Sequence, residues 1–288
     1  MLKIFRNIVS ALSGIIAGKS AKDIYREDFE GCAATYDSVV TRPLLAKLSE
    51  EKVKSIKLPL NAKIVELGCG TGQVTEIFLE HFKEKRVSVE ACDLSDAMLL
   101  LARKRCKKYS TKTSFVKEDM AEFLKGKTAD SIDLVASFWS LEYADPGVVL
   151  AQAKRVLNKG GKVAVLVNTR ETLSELQRVV TPIVLRNIHC LRNIPPIVVP
   201  KNAGWFKRTA EGLGFSIELL DEGNLEHTFT SGKDLVTWMK NGGPCSGFRG
   251  ALKEKYKERI FELISKETDN RNGLKISFKY LYYTGVKK

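Results

Sequence analysis

Residues 63–72, reading Lys63-Ile64-Val65-Glu66-Leu67-Gly68-Cys69-Gly70-Thr71-Gly72, constrain the fold more than any other stretch of this chain. A short β-branched run breaks into three glycines spaced by single residues. An amphipathic stretch follows over 72–83, with Val74, Ile77, Phe78 and Phe82 on one helical face. Strand, glycine turn and helix in that order are how a parallel sheet covered by helices begins. Glycine has no Cβ, so the chain can turn sharply and a ligand can approach the backbone closely. Two common versions of such a turn are excluded by spacing. A dinucleotide fingerprint needs a third glycine three residues after the second, and Gln73 stands there; no G-x-x-x-x-G-K-[ST] run is present either.

The pattern continues past the turn. Strands are expected over 86–92, 114–117 and 132–138, and helices over 95–107 and 147–157. The run over 132–138 is apolar almost throughout, as a central parallel strand should be. Asn158-Lys159-Gly160-Gly161 reads as a helix stop, because glycine can take the left-handed end conformation. A fifth strand is expected over 162–167. The rhythm then breaks over about 169–202, which holds one helical stretch and the pair Pro195-Pro196. A helix over 203–213 and a strand over 214–220 resume it. A second break, about 224–270, holds helical stretches near 233–241 and 251–266, and an aromatic strand over 274–286 closes the chain. The expected fold is α/β: a doubly wound, mostly parallel, seven-stranded sheet, with the two breaks as helical caps over the ligand-binding end.

With Glu66 the turn reads E-x-G-x-G-x-G, and in this it resembles the class I S-adenosylmethionine-dependent methyltransferases, whose sheet is Rossmann-like. The resemblance covers about residues 29–167 and rests on further residues in the right order. It implies that Glu66, Gly68, Cys69, Gly70, Thr71 and Gly72 bind the cofactor, S-adenosylmethionine. Asp93, at the end of the second strand, would accept from the ribose hydroxyls. Leu94 and Met98 would pack on the adenine, and Asp119 with Met120 would meet its amino group. Ser137 and Phe138, with Trp139, would lie at the methionine end and acceptor entrance. Upstream, Phe29-x-x-x-Ala33-x-x-Tyr36-Asp37 resembles the segment folding over the cofactor, with Tyr36 near the methionine end. Cys69 stands where the family often has cysteine or alanine, a packing residue.

Such a cofactor carries its own leaving group, a positive sulfonium, so the protein's main task is to hold the acceptor in line with the methyl carbon, away from water. A carboxylate or thiolate acceptor needs no base; a phenol, amine or carbon acid needs one. The candidate catalytic residues are Glu142 and Tyr143, just past the fourth strand, and His189 in the first cap; His81 and His227 read as surface or hydrogen-bonded residues. Arg170, Arg192 and Arg249 could hold an anionic acceptor in a guanidinium fork. No N-P-P-Y or D-P-P-Y string is present, which argues against amino-methylation of nucleic-acid bases. The stretch 235–240 with its tryptophan, followed by a long helix and an aromatic strand, resembles the small-molecule carboxyl methyltransferases, of the trans-aconitate and malonyl-carrier-protein types. The expected acceptor is therefore a small organic molecule, including a carboxylate or a carrier-bound acyl group. A membrane-associated lipid or quinone methyltransferase and a non-catalytic cofactor-binding protein stand as alternatives.

The chain of 288 residues carries a net charge of +13, which fits an acidic carrier or an anionic membrane and names neither. No nucleic-acid-binding motif accompanies it. The six cysteines are scattered, which points to a reducing, cytoplasmic compartment and no metal site. Residues 1–24 read as an amphipathic helix ahead of a methyltransferase domain over 25–288. Its segment 1–20 has helical apolar spacing with Lys3 and Arg6 at its start, and a poor signal-peptide cleavage site. Packing on its own domain, packing on a second copy in a homodimer, and peripheral contact with the inner membrane face remain open for it.

Overall fold

The expected first strand forms as β1, Lys63–Leu67, and it is the hinge of a seven-stranded sheet. This computed structural model describes residues 20–192, 199–242, 245 and 247–288. The helix expected at the N-terminus falls mostly outside them, as does the Pro195-Pro196 pair. The chain divides into two units. A sheet unit comprises Thr41–Thr172, Ile197–Leu225 and Phe278–Lys288; a helical unit comprises Met1–Val40, Leu173–Pro196 and Glu226–Ser277.

The strands of the sheet are β1, β2 (Ser88–Asp93), β3 (Thr113–Lys117), β4 (Ile132–Phe138), β5 (Leu157–Asn168), β6 (Phe215–Phe229) and β7 (Leu274–Lys287), in the order β3-β2-β1-β4-β5-β7-β6. The end of β6 and the start of β7 belong to the helical unit. Strands β1 to β5 are parallel to their neighbours among themselves, and β7 runs antiparallel to β5. The order reverses between β1 and β4, so their carboxyl ends flank the place where open parallel sheets bind ligands.

Both faces of the sheet are covered, and the alternation of strand side chains decides which residue goes where. On one face Ile64, Leu134, Ala136 and Leu166 meet α2 (Arg42–Ser55), α3 (Gln73–His81) and α4 (Asp96–Arg105) through Leu48, Val53, Phe78, Leu79 and Leu99. On the other, Val65, Leu67, Val135 and Val165 meet α5 (Met120–Lys125), α6 (Pro146–Val156) and α8 (Ala203–Gly212) through Phe123, Leu124, Leu150, Ala153 and Phe206. Central strands buried on both faces must be apolar throughout, hence the uninterrupted runs in the sequence.

Two elements differ from expectation. Gly160 does not end a helix. α6 stops at Val156, where Leu157 is already extended, and β5 starts there. Pairing jumps from Ile132↔Leu157 to Leu134↔Lys162, so 158–161 form a bulge in the strand, with Gly160 at φ +77°. β6 also runs on to Phe229, past the polar residues 221–224. It is an edge strand with much of its length exposed, so polar residues do not end it.

The helical unit contains α1 (Ala21–Tyr36), α7 (Ser174–Arg186), α9 (Gly232–Asn241), α10 (Phe248–Ala251) and α11 (Lys257–Asp269). Ser20 caps α1 by accepting from the Asp23 amide at 3.2 Å. The buried Asp28 carboxylate accepts from the Gly247 amide at 2.7 Å and the Gly250 amide at 3.2 Å, tying α1 to α10. Trp238 of α9 packs on Phe229 with ring centres 5.3 Å apart.

Candidate cofactor and acceptor site

All the residues expected to hold a cofactor, Tyr36 excepted, come from the sheet unit, at the carboxyl ends of β1 to β4 and in the turns that follow. The glycine turn leads from β1 into α3 with Gly68, Gly70 and Gly72 at φ +67°, +53° and +77°, conformations that a side chain disfavours. Space excludes a side chain at Gly68 as well: a Cβ would lie 2.5 Å from Ser140 Cβ and 2.9 Å from Met120 Cε. At Gly70 a Cβ would meet nothing within 4 Å, so that side of the turn is open.

The side chains around the turn are held by one another. Glu66 is buried, and Thr75 Oγ1 donates to its Oε2 at 2.5 Å. Burial pushes the Glu66 carboxyl up to about 8, with the Asp93 charge adding to the rise and the Thr75 hydroxyl opposing it. Asp93 Oδ2 accepts from the Gly70 amide and Oδ1 from the Ser95 amide, both at 2.9 Å. Burial raises this carboxyl too, against the pull of those amides. Asp93 thus ties the end of β2 to the turn itself. Ser95 caps α4, accepting from the Met98 amide at 3.2 Å, with Leu94 half-buried and Met98 buried beside it. Asp119 caps α5, its Oδ1 accepting from the Ala121 amide at 3.1 Å, and Met120 reaches the glycine turn through its Cε.

Other expected residues are engaged elsewhere. Thr71 is buried, and Arg105 Nη1 donates to its hydroxyl at 2.9 Å and its carbonyl at 3.1 Å. The Cys69 thiol is buried and held well above the usual thiol range by burial, which suits a packing residue. Ser140 Oγ donates to the Leu67 carbonyl at 2.6 Å, which leaves Ser137 to donate to Ser140 Oγ at 2.8 Å. Phe138 faces the core, edge-on to Phe78 at 6.0 Å and tilted on Tyr282 at 6.3 Å. Tyr36 belongs to the helical unit, where its ring meets Phe29 edge-on at 6.1 Å.

The catalytic candidates are divided between the two units. Glu142, four residues past β4, is buried, and its Oε1 accepts from Asn168 Nδ2 at 2.8 Å. Its Oε2 is sealed from solvent with no hydrogen-bond partner among the described residues, and burial raises its pKa. Tyr143 beside it is half-buried. His189 belongs to the helical unit, exposed, with its ring edge-on to Tyr256 at 4.9 Å.

Sequence reasoning passed over Arg42, and for Trp139, expected at the acceptor entrance, it gave no sign of the backbone conformation or the contact with Ser49. Arg42, in the first turn of α2, is buried, and its Nη2 donates to Oε1 of Gln73, the first residue of α3, at 2.7 Å. The signal was present: a cation in a first helical turn opposes the helix dipole, so another role is needed to keep it there. Trp139 takes φ +59° directly after β4, and its Nε1 donates to Ser49 Oγ at 2.9 Å. A bulky residue in that region stores strain of the kind found beside functional sites.

Among the described residues, no helix is long and apolar enough to cross a membrane. A family model described as a methyltransferase domain matches residues 64–161, from β1 to the bulge in β5. Over 271 residues the chain is 25% identical to the malonyl-[acyl-carrier protein] O-methyltransferase of Paenibacillus sp. (strain JDR-2), covering 90% of this chain and 96% of that one. It is 34% identical over 134 residues to the trans-aconitate 2-methyltransferase of Acidovorax sp. (strain JS42), covering 45% of each. Among solved structures, the YcgJ protein from Bacillus subtilis matches with a TM-score of 0.57 at 13% identity, over 85% of this chain and 99% of that one, a likeness of fold.

Proposed function

We propose that the chain acts as a class I S-adenosylmethionine-dependent methyltransferase and that the group it methylates is a carboxylate, on a small organic acid or at the end of a carrier-bound acyl chain. One observation carries the choice. The first carboxyl after β4 in the chain, Glu142, is turned onto Asn168 with its second oxygen sealed from solvent. An expected base that is sealed in this way cannot take up an acceptor's proton, which suits an acceptor that has already lost its own.

The cofactor, when bound, supplies a methyl group on a positively charged sulfur. The residues that would hold it are Glu66, the turn over 68–72, Asp93, Asp119 and Met120. Their chemistry fits: carboxylates for hydroxyl and amino donors, and an open backbone at Gly70. Arg42, fixed against the start of α3, would meet the negative end of the methionine part. The protein's own work is then to hold an ionised acceptor in line and exclude water. Opposite charges attract more strongly where water is scarce, so excluding water would favour the approach of an acceptor carboxylate to the sulfonium, whose charges cancel on transfer. Arg170, exposed just after β5, would steer the acceptor's charge. Glu142 serves as a positioning residue for Asn168.

The test uses trans-aconitate and a malonyl-carrier protein as acceptors with methyl-labelled cofactor. The expected product is a base-labile methyl ester, with Glu142→Gln keeping its rate within about threefold at neutral pH. A base-stable product, or loss of rate by 100-fold or more in Glu142→Gln (roughly what removing a general base costs), would overturn the reading. The charge of +13 also supports docking of an acidic carrier and contact of residues 1–20 with an anionic membrane. Liposome sedimentation with and without residues 1–20 separates these two. A homodimer remains part of the proposal, for sedimentation equilibrium to decide.

A further inference from the structure

A cleft of about 630 Å³ lies wholly within the helical unit. Its apolar floor comes from Ile24 of α1, Leu252, and Phe261 of α11. Its walls carry Arg192, Lys240, Arg249 and Lys257, and also Glu27, Asp28, Glu254 and Glu258. Formal charge therefore balances, and burial decides the character of the cleft. The side chains of Lys257, Arg249 and Lys240 are 20%, 29% and 33% exposed, whereas those of Glu254 and Glu258 are 88% and 77% exposed. The cations are the more buried partners, and these acids stand in water. Asp28 is the buried acid, and it is already engaged by the Gly247 and Gly250 amides and by Arg249 Nε at 3.5 Å. The Arg192 amide donates to the Ala251 carbonyl at 2.7 Å, which fixes that arginine's backbone at the cleft while its side chain stays exposed.

All three of these more buried cations are paired, Lys257 with Glu254 and Lys240 with Glu258, each at 2.7 Å, and Arg249 with Asp28 at 3.5 Å, the first two with acids that stand in water. Pairs with a solvated partner contribute only about 0–1 kcal/mol. An entering oxyanion displaces such partners at small cost, and Lys240 keeps its place over the Phe261 ring, 4.9 Å from its centre. Half-buried cations above three apolar side chains give an amphiphilic anion both a partner for its charge and a surface for its stem, and the volume lies in the range of small-molecule sites.

We propose that this cleft binds the oxyanion head, phosphate or carboxylate, of an extended organic molecule whose stem lies along Ile24, Leu252 and Phe261. Arg192 supplies fork-shaped donors for two oxygens, Arg249, which Asp28 holds through Nε and Nη2, adds its charge, and Lys240 and Lys257 supply point charges. The site is built from the helical unit alone and does not depend on which acceptor is methylated.

Isothermal titration of the full chain without cofactor tests it, with 4′-phosphopantetheine as the phosphate probe and adipate as the carboxylate probe. Saturable binding of at least one probe with Kd below about 1 mM is expected, and the tighter of the two identifies the head group. The double variant Arg192→Ser, Lys257→Gln should weaken that binding about tenfold or more. Lys104→Gln, an exposed lysine of α4, should leave it unchanged. Circular dichroism checks that the variants fold; if the double variant does not, Arg192→Ser alone gives the reading. Absence of binding by both probes, or a folded variant that binds as tightly as the parent, overturns the proposal.

Discussion

Asp93 shows how one side chain can shape a site before any ligand arrives. Its two oxygens accept from the Gly70 and Ser95 amides, so it holds the glycine turn and the start of α4 in register. Replacing it with Ala removes the acceptor expected for the ribose and also leaves two backbone amides without a partner. Hydrogen bonds to charged groups are worth about 1.5–3 kcal/mol each. Asp93→Ala is thus expected to weaken S-adenosylmethionine binding by about 10- to 100-fold, with the far-ultraviolet circular dichroism spectrum unchanged; unaltered affinity in calorimetry would contradict the role. The site was legible here because spacing alone places Asp93 at a strand end. Arg42 was not, because the 31 positions separating it from Gln73 are closed only by the fold.

At the scale of elements, the helix after the glycine turn does two jobs. α3 presents its amino end to the turn and its apolar face to the sheet, where Phe78 is fully buried between Phe82 and Phe138. Truncating a buried phenylalanine costs about 3–5 kcal/mol, because lost transfer energy and the remaining cavity add. Phe78→Ala is expected to lower stability by that amount, read as a shifted urea midpoint with an unchanged slope; a loss below about 1 kcal/mol would mean the core closes over the gap. β1 and β4 were read from sequence at their observed bounds, since an apolar run framed by polar turns leaves little choice. The bulge in β5 was not. A glycine with positive φ ends a helix and bulges a strand equally well, and only the pairing with β4 distinguishes them.

Across the whole molecule, buried carboxyls link stability to pH. Glu66 is raised to about 8 and Glu142 is raised as well, in both cases first by burial. A carboxyl raised on folding holds its proton more tightly in the native state. The stability it contributes is complete below the unfolded value near 4.5 and is lost as pH rises through the folded value. Unliganded protein is therefore expected to lose stability between pH 4.5 and 8, and Glu66→Gln, with no proton to release, should lose less. Urea midpoints measured across that window decide it; parallel curves for parent and variant would remove Glu66 as a source.

The sequence by itself determined the sheet, its order of strands and helices, and the placing of the glycine turn, Asp93 and Asp119 at or just past successive strand ends. Those depend on local patterning and on the few positions where a strand must turn. Tertiary structure alone decided what became of the remaining side chains. Glu142 was expected at the acceptor and is sealed onto Asn168; Phe138 and Ser137 were expected at the cofactor and are engaged within the sheet unit; the cations of the helical unit gather round a cleft. Which way a side chain faces, and whether water can reach it, depends on partners distant in the chain, and periodicity carries no record of them.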